Sequence, residues 1–488
     1  MTDIIYDIET YPNVFTCVLI TAHSGNHTLI EVSERCNDWL KFVKLMKAFK
    51  DNNCRMVGFN NLGFDYPVIH TLLSKLKPDA SAKDVYEMAF KKCEDIIDTP
   101  WNDRFRHNVW DNECFVQQID LYKIHHFDNM ARATSLKEME FNMRSESIQD
   151  LPYPPGTVLA PDEIGELLTY NLHDGEETLK FYNLSKDQIE FREQLSKQYD
   201  RNFLNHNDTR IGKDYFMMEL GITNRTTTTP RSKIDLGELI LDQVRFVRPE
   251  FNAVTDWIAD QVITQTKKVF TEIPIPAISS DLAQYANMEL KNDKVKNLNV
   301  VVDGFQFDFG TGGIHGSVRN RAFESDDTMV IKNVDVASYY PNLAIANGLY
   351  PEHLGERFCE VYKDVYEQRK TYPKGTPENA MLKLALNGVY GDSNNQYSAF
   401  YDPRYTMAIT INGQLLLCML AEALLDIPDL EIININTDGI CVHVPRRHVE
   451  VLQEHCQRWE GLTGLTLETD EYARLWQRDV NNYLGVTV

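Results

Sequence analysis

Hydrophobic and polar positions along the chain follow short, readable periods at several places, and each place carries an acid or a polar stripe. Ile4-Ile5-Tyr6-Asp7-Ile8-Glu9 reads as a strand, whose period of two puts Asp7 and Glu9 on one side. Val57-Gly58-Phe59-Asn60-Asn61-Leu62-Gly63-Phe64-Asp65 reads as a short strand turning into a helix, with the acid at the junction. Glu163 to Asp174 has helical periodicity, which sets Tyr170 and Asp174 on one face. Thr328 to Asp335 alternates as a strand and ends in an acid; Val336 to Tyr340 then leaves the strand, and Pro341 is expected to punctuate the turn. Thr376-Pro377 opens a helix, a capping residue followed by proline at the first helical position. That helix carries Lys383, Asn387 and Tyr390 as one stripe, which is not a core face. The segment before it, Glu360 to Tyr372, carries Arg369 and Lys370, and the two helices are expected to form a hairpin with basic residues facing inward. Ile432 to Val444 reads as a β-hairpin with Asp438-Gly439 supplying the tight turn.

Composition narrows the class. A chain of 488 residues, 43% hydrophobic and 11% aromatic, can build sizeable cores in several domains. No apolar run approaches the ~18 residues of a membrane helix, and the acidic start lacks the pattern of a signal peptide, so a soluble protein with no membrane partner is expected. The nine cysteines form no CxxC pair and no zinc-type cluster, as expected of reduced thiols. The net charge of −23 is the reverse of a nucleic-acid binder's basic footprint. Any such contact must therefore lie in a locally basic groove.

The acids suggest chemistry. Asp7, Glu9, Asp65 and Asp174 could hold two divalent cations for phosphodiester hydrolysis, with the Tyr170 hydroxyl orienting the attacking water. Asp7-x-Glu9, Asn61-x-x-Phe64-Asp65 and Tyr170-x-x-x-Asp174, in that order, resemble the three motifs of DEDDy proofreading 3′–5′ exonucleases over roughly residues 1–185. Asn60 and Asn61 both fit the asparagine of the second motif, and Asp120-Leu121 and Ser135-Leu136 both resemble the segment that grips the single-stranded primer end. By this resemblance Asn61 and Phe64 would contact DNA.

The last third resembles family B DNA polymerases. Asp335-x-x-Ser338-x-Tyr340-Pro341 is similar to motif A, Lys383-x-x-x-Asn387-x-x-Tyr390-Gly391 to motif B, and Thr437-Asp438 to the end of motif C. The resemblance implies that Asp335, Asp438 and the Val336 carbonyl hold two Mg²⁺ or Mn²⁺ ions, a second pair to that of the exonuclease site. It also implies that Arg369 and Lys383 neutralise a triphosphate, that Ser338, Asn387 and Tyr390 help hold the nucleotide, and that Tyr340 stacks under the deoxyribose. Three positions depart from the family: Asn436 replaces the first aspartate of motif C, Tyr339 a leucine of motif A and Gly388 a serine of motif B.

These resemblances imply a multidomain α/β and α+β protein. A ribonuclease H-like exonuclease domain (1–185) is followed by a connecting region (186–327), a palm (328–352 and 392–488) and helical-hairpin fingers (353–391). Within the connecting region, Arg225 to Arg231 is a candidate exposed basic loop. Gly312-Gly313 resembles a Tyr-x-Gly-Gly element whose amides meet the template strand, although a flexible loop explains it equally. Tyr483 falls in a segment like the primer-holding Lys-x-Tyr element, with Asn481 in the lysine position. No thumb is recognisable, so the expected partners are primer–template DNA, dNTPs and a second polypeptide carrying a thumb or a processivity factor. Such compactness suggests a viral replication enzyme, cytoplasmic in its host. An exonuclease with a crippled polymerase half is the alternative.

Overall fold

The computed structural model describes residues 2–129, 132–222 and 228–488. Of the expected basic loop, Arg225, Thr226 and Thr227 lie outside the described residues. The chain is a mixed α/β protein that divides into two compact units, one ending at Ile211 and the other beginning at Gly212. The first unit therefore takes in the helix Lys186–Tyr199.

In the first unit, strands β1 (Asp3–Tyr11), β2 (Val14–Thr21), β3 (His27–Ser33), β4 (Arg55–Gly58) and β5 (Gln117–Asp120) form one sheet in the order β3-β2-β1-β4-β5. β1, β2 and β3 are antiparallel neighbours, and β4 and β5 run parallel to β1. The period of two in β1 sends Ile4, Tyr6 and Ile8 into a core with Trp39 and Phe42. Ile5 points the other way, into a core with Phe181 and Tyr182, and Asp7 and Glu9 share its face. The helices that serve this site are α1 (Asp65–Lys75), α2 (Leu136–Asn142) and α3 (Glu163–Leu184). A Cβ on Gly175 would lie 2.6 Å from Val18 Cγ1, so glycine there lets α3 lie close on β2 and carries Asp174 toward β1.

The second unit is built on a nine-stranded antiparallel sheet. Its strands are β6 (Asn299–Val302), β7 (Phe305–Gly310), β8 (Gly313–Ser317), β9 (Arg321–Glu324), β10 (Met329–Val336), β11 (Glu431–Asn436), β12 (Gly439–Pro445), β13 (Leu467–Asp479) and β14 (Asn482–Thr487). Their order is β6-β7-β8-β11-β12-β10-β13-β9, with β14 added along β13. The helices of this unit that bear on the site are α4 (Tyr339–Asn347), α5 (Arg357–Lys370), α6 (Pro377–Asp392) and α7 (Pro403–Leu425). Thr376 caps α6 through the Asn379 amide, and α5 and α6 pack as a hairpin in which Tyr362 Oη donates to the Leu386 carbonyl at 2.5 Å.

Three expectations need correcting. Pro341 is not in a turn. It sits in the first turn of α4, after Ser338 has bent the chain at φ 45°, where a missing N–H costs no hydrogen bond. The β11–β12 turn is made by Thr437, at φ 57°, and Asp438, while Gly439 already pairs with Asn436. Finally, α7 has a window as long and apolar as a membrane span, but 83% of that window is buried inside the unit. Two of its buried polar side chains bond within the protein: Thr410 donates to the Thr406 carbonyl at 2.9 Å, and Gln414 accepts the Gly310 amide at 2.8 Å. This is a core helix.

Candidate active sites

In the first unit, ligand atoms of Asp7, Glu9 and Asp174 all lie within 4.8 Å of one another. Asp65, 6% exposed at the start of α1, accepts the Ile8 amide at 3.3 Å and so adjoins the same stretch of β1. Asn171 donates to Asp7 at 2.7 Å, and Tyr170 hydrogen-bonds Asp174. Burial, reinforced by the neighbouring carboxylates, pushes Asp7 and Glu9 well above the usual carboxylate range. Burial likewise raises Asp65 to about 7 and Asp174 to about 6. Four acids are crowded together, and the Ile8 amide, Asn171 and Tyr170 each bond one of them. An oxygen-only, mutually repelling donor set of this kind fits a hard divalent cation.

That crowding has a measurable consequence. A carboxyl whose pKa rises on folding holds its proton more tightly in the native state. Its contribution to stability is complete below about pH 4 and is lost as the pH climbs through 6 to 7. A cation bound by the ionised cluster offsets the repulsion and must displace protons at low pH. The rise in Tm caused by Mg²⁺ should therefore be small near about pH 5 and larger near about pH 8. A Tm indifferent to Mg²⁺ at the higher pH would rule the cluster out as a cation site.

Asn61, expected at the DNA surface, is fully buried. Its amide lies among the Tyr6 hydroxyl, Gln118 and the carbonyls of Gly58 and Ile119, and so braces the turn from inside. Asn60 is the exposed residue of that turn, at φ 59°. Phe64 is half-buried against the core. Of the two primer-gripping candidates, Asp120 is buried and accepts the amides of Asn60, Leu62 and Tyr122, whereas Ser135 is exposed and caps α2.

In the second unit, a cavity of about 990 Å³ gathers most of the remaining candidates. Asp335 lies near the end of β10 opposite Gly439, Asp438 lies in the β11–β12 turn just before it, and the Val336 amide donates to the Asp438 carbonyl at 2.8 Å. Burial and then the charge of Asp438 push Asp335 up to about 6, and burial also raises Asp438. The same cavity is also lined by cations: Arg369 and Lys370 come from α5, Lys374 from the loop after it and Lys383 from α6. Asn387 and Tyr390 face the cavity beside Lys383, and Arg369 donates to Ser338 Oγ at 3.1 Å. Carboxylates that share a cavity with several cations can hold a divalent cation together with a polyanion.

Tyr340 is clamped. Its ring centroid lies 4.4 Å from that of Tyr390 and 5.6 Å from that of Tyr339, and its hydroxyl donates to the Gly312 carbonyl at 2.8 Å. Gly312 belongs to the tight β7–β8 connection and Gly313 opens β8, so this segment is a hairpin rather than an irregular loop.

No protein-family model and no curated protein sequence matches the chain. Among solved structures, it is similar to the family B DNA polymerase from the hyperthermophilic archaeon Pyrobaculum calidifontis, with a TM-score of 0.44 and 16% identity. The match covers 100% of this chain and 59% of that one. At that distance the likeness carries no functional weight, which rests instead on the residues and their geometry.

Two residues at these sites carry no sequence signal of their own. Glu468 reaches the cavity because β13 pairs with β10 in a register that sets it opposite Asp335. Asn171 is simply the neighbour of Tyr170 on α3. Tyr483 is half-exposed on β14, a strand added along β13, and is not part of the cavity wall.

Proposed function

We propose that the protein is a template-directed DNA polymerase that extends a primer 3′-hydroxyl with dNTPs, and that its first unit is a 3′–5′ proofreading exonuclease. The observation that carries the reading is the cavity of the second unit, which Asp335, Asp438 and Glu468 line together with Arg369, Lys370, Lys374 and Lys383. In a chain of net charge −23, this is a place where four cations gather around one cavity. Asp335, Asp438 and the Val336 carbonyl would hold divalent cations, which when bound stabilise charge on the reacting phosphate. Arg369 and Lys383 would position the triphosphate, and Tyr340 would close the sugar side. Glu468 supplies a further negative charge near Asp335 that offsets the change at Asn436. Asp7, Glu9, Asp65 and Asp174 would hold the cations of the exonuclease site. Primer–template DNA is the substrate, a viral replication role and action in the host cytoplasm are part of the proposal, and a second polypeptide would contribute processivity.

A labelled primer–template incubated with Mg²⁺, with and without dNTPs, tests this. Extension with dNTPs and degradation without them is the expected result. Degradation that ignores dNTPs would instead indicate a nuclease with a crippled second unit, and binding alone would overturn both activities.

Gly439 offers a finer test. A Cβ there would lie 1.7 Å from Asp335 Oδ1, while Asn333 holds the same carboxylate at 2.5 Å. Gly439→Ala must turn Asp335 out of place, and a displacement near 1 Å can cost roughly 100-fold in rate. Extension should fall by about that factor with degradation unchanged. Wild-type extension by a folded Gly439→Ala protein would mean that Asp335 is not held where the reaction needs it.

A further inference from the structure

A second group of potential ligands lies beside the acid cluster of the first unit. Donor atoms of Glu140, His173 and Asp174 fall within 4.8 Å of one another. Glu140 projects from α2 and is 1% exposed. Its Oε2 lies 3.2 Å from His173 Nε2, and its Oε1 has no hydrogen-bond partner among the described residues. A buried carboxylate oxygen without a donor is costly, and one contact from an imidazole does not satisfy the pair of oxygens. Lys137, on the same helix, is paired with Asp150. His173 and Asp174 are consecutive on α3, so Asp174 belongs both to this group and to the one with Asp7 and Glu9.

We propose that Glu140, His173 and Asp174 form a second cation site, joined to the acid cluster through Asp174, that takes a divalent transition metal of the Mn²⁺ or Zn²⁺ class. The donor chemistry sets it apart from the neighbouring cluster. The Asp7, Glu9 and Asp65 side offers only carboxylate oxygens, which suit Mg²⁺, whereas an imidazole nitrogen with two carboxylates suits metals that accept nitrogen. The orphan oxygen of Glu140 gains a partner when the site fills. Because Asp174 is common to both groups, filling one site changes the charge available to the other, which gives a transition metal a direct handle on the acid cluster. The site does not depend on the exonuclease reading, since it requires only that these three side chains bind metal.

Pulsed electron paramagnetic resonance of Mn²⁺ added to the full chain tests this directly, because it detects ¹⁴N bonded to the metal. One Mn²⁺ with nitrogen coupling is expected in the wild type, and the coupling should vanish in His173→Gln. Changing groups that merely orient a metal ligand costs roughly 10- to 100-fold in affinity, so Glu140→Gln should weaken the nitrogen-coupled Mn²⁺ at least ~10-fold. Asp7→Asn with Glu9→Gln should leave that coupling in place, which separates failure of this site from failure of the acid cluster. If His173→Gln does not fold, ¹⁵N-histidine labelling of the wild type gives the same readout by replacing the ¹⁴N coupling. A wild type without nitrogen coupling at saturating Mn²⁺, or a coupling that survives His173→Gln or is untouched by Glu140→Gln, overturns the proposal and leaves Glu140–His173 as a structural pair.

Discussion

Asp335→Ala or Asp438→Ala should reduce primer extension by at least ~1,000-fold, about 4 kcal/mol of lost transition-state stabilisation, and leave 3′ degradation intact. The reverse is expected of Asp7→Ala combined with Glu9→Ala. The two carboxylate groups belong to different compact units. Each has its own source of strain: burial and mutual repulsion raise Asp7 and Glu9 in one, and Asp335 in the other. Removing an acid from one group leaves the donors of the other untouched. Extension with dNTPs and degradation without them, measured on the same labelled primer–template, give both readouts from each variant. A folded Asp335→Ala or Asp438→Ala protein that had also lost degradation would show that the assignment to two sites is wrong.

Loss of sugar discrimination is the second large effect. Tyr340→Ala should lower the preference for dNTPs over rNTPs by at least ~10-fold, about 1.4 kcal/mol. The ring can act as a wall because it cannot swing away. Tyr339 and Tyr390 flank it, and the Gly312 carbonyl holds its hydroxyl. Behind it lies α7, where even a Cβ on Gly413 would come within 3.0 Å of Tyr340 Cε1. A rigid ring rejects an added 2′-hydroxyl by contact, and alanine opens that space. Tyr340→Phe keeps the ring and removes only the bond to Gly312, so its effect should be the smaller of the two. Steady-state kinetics with paired dNTP and rNTP substrates measure both variants. Unchanged discrimination in Tyr340→Ala would remove this residue from the sugar side of the cavity.

Local periodicity determined the parts of this protein in which neighbours in sequence are neighbours in space. A period of two was enough to put Asp7 and Glu9 on one face of β1, and a period of 3.6 to align Lys383, Asn387 and Tyr390 on α6. The Thr376-Pro377 start of α6 was equally legible, because capping acts within one turn of the chain. Tertiary structure alone decided what lies across a sheet or beneath a turn. Glu468 meets Asp335 through strand register, Asn171 meets Asp7 where a helix lies on the sheet, and Asn61 turns inward while Asn60 faces out. The β11–β12 turn shifted for a related reason: Gly439 had to stay in the strand, where the space of a missing Cβ is filled by Asp335. Glu140 and His173 carried no pattern at all, since they stand on different helices and meet only because α2 packs against α3. Pairings of that kind are set by long-range packing and register, which no short window of sequence encodes.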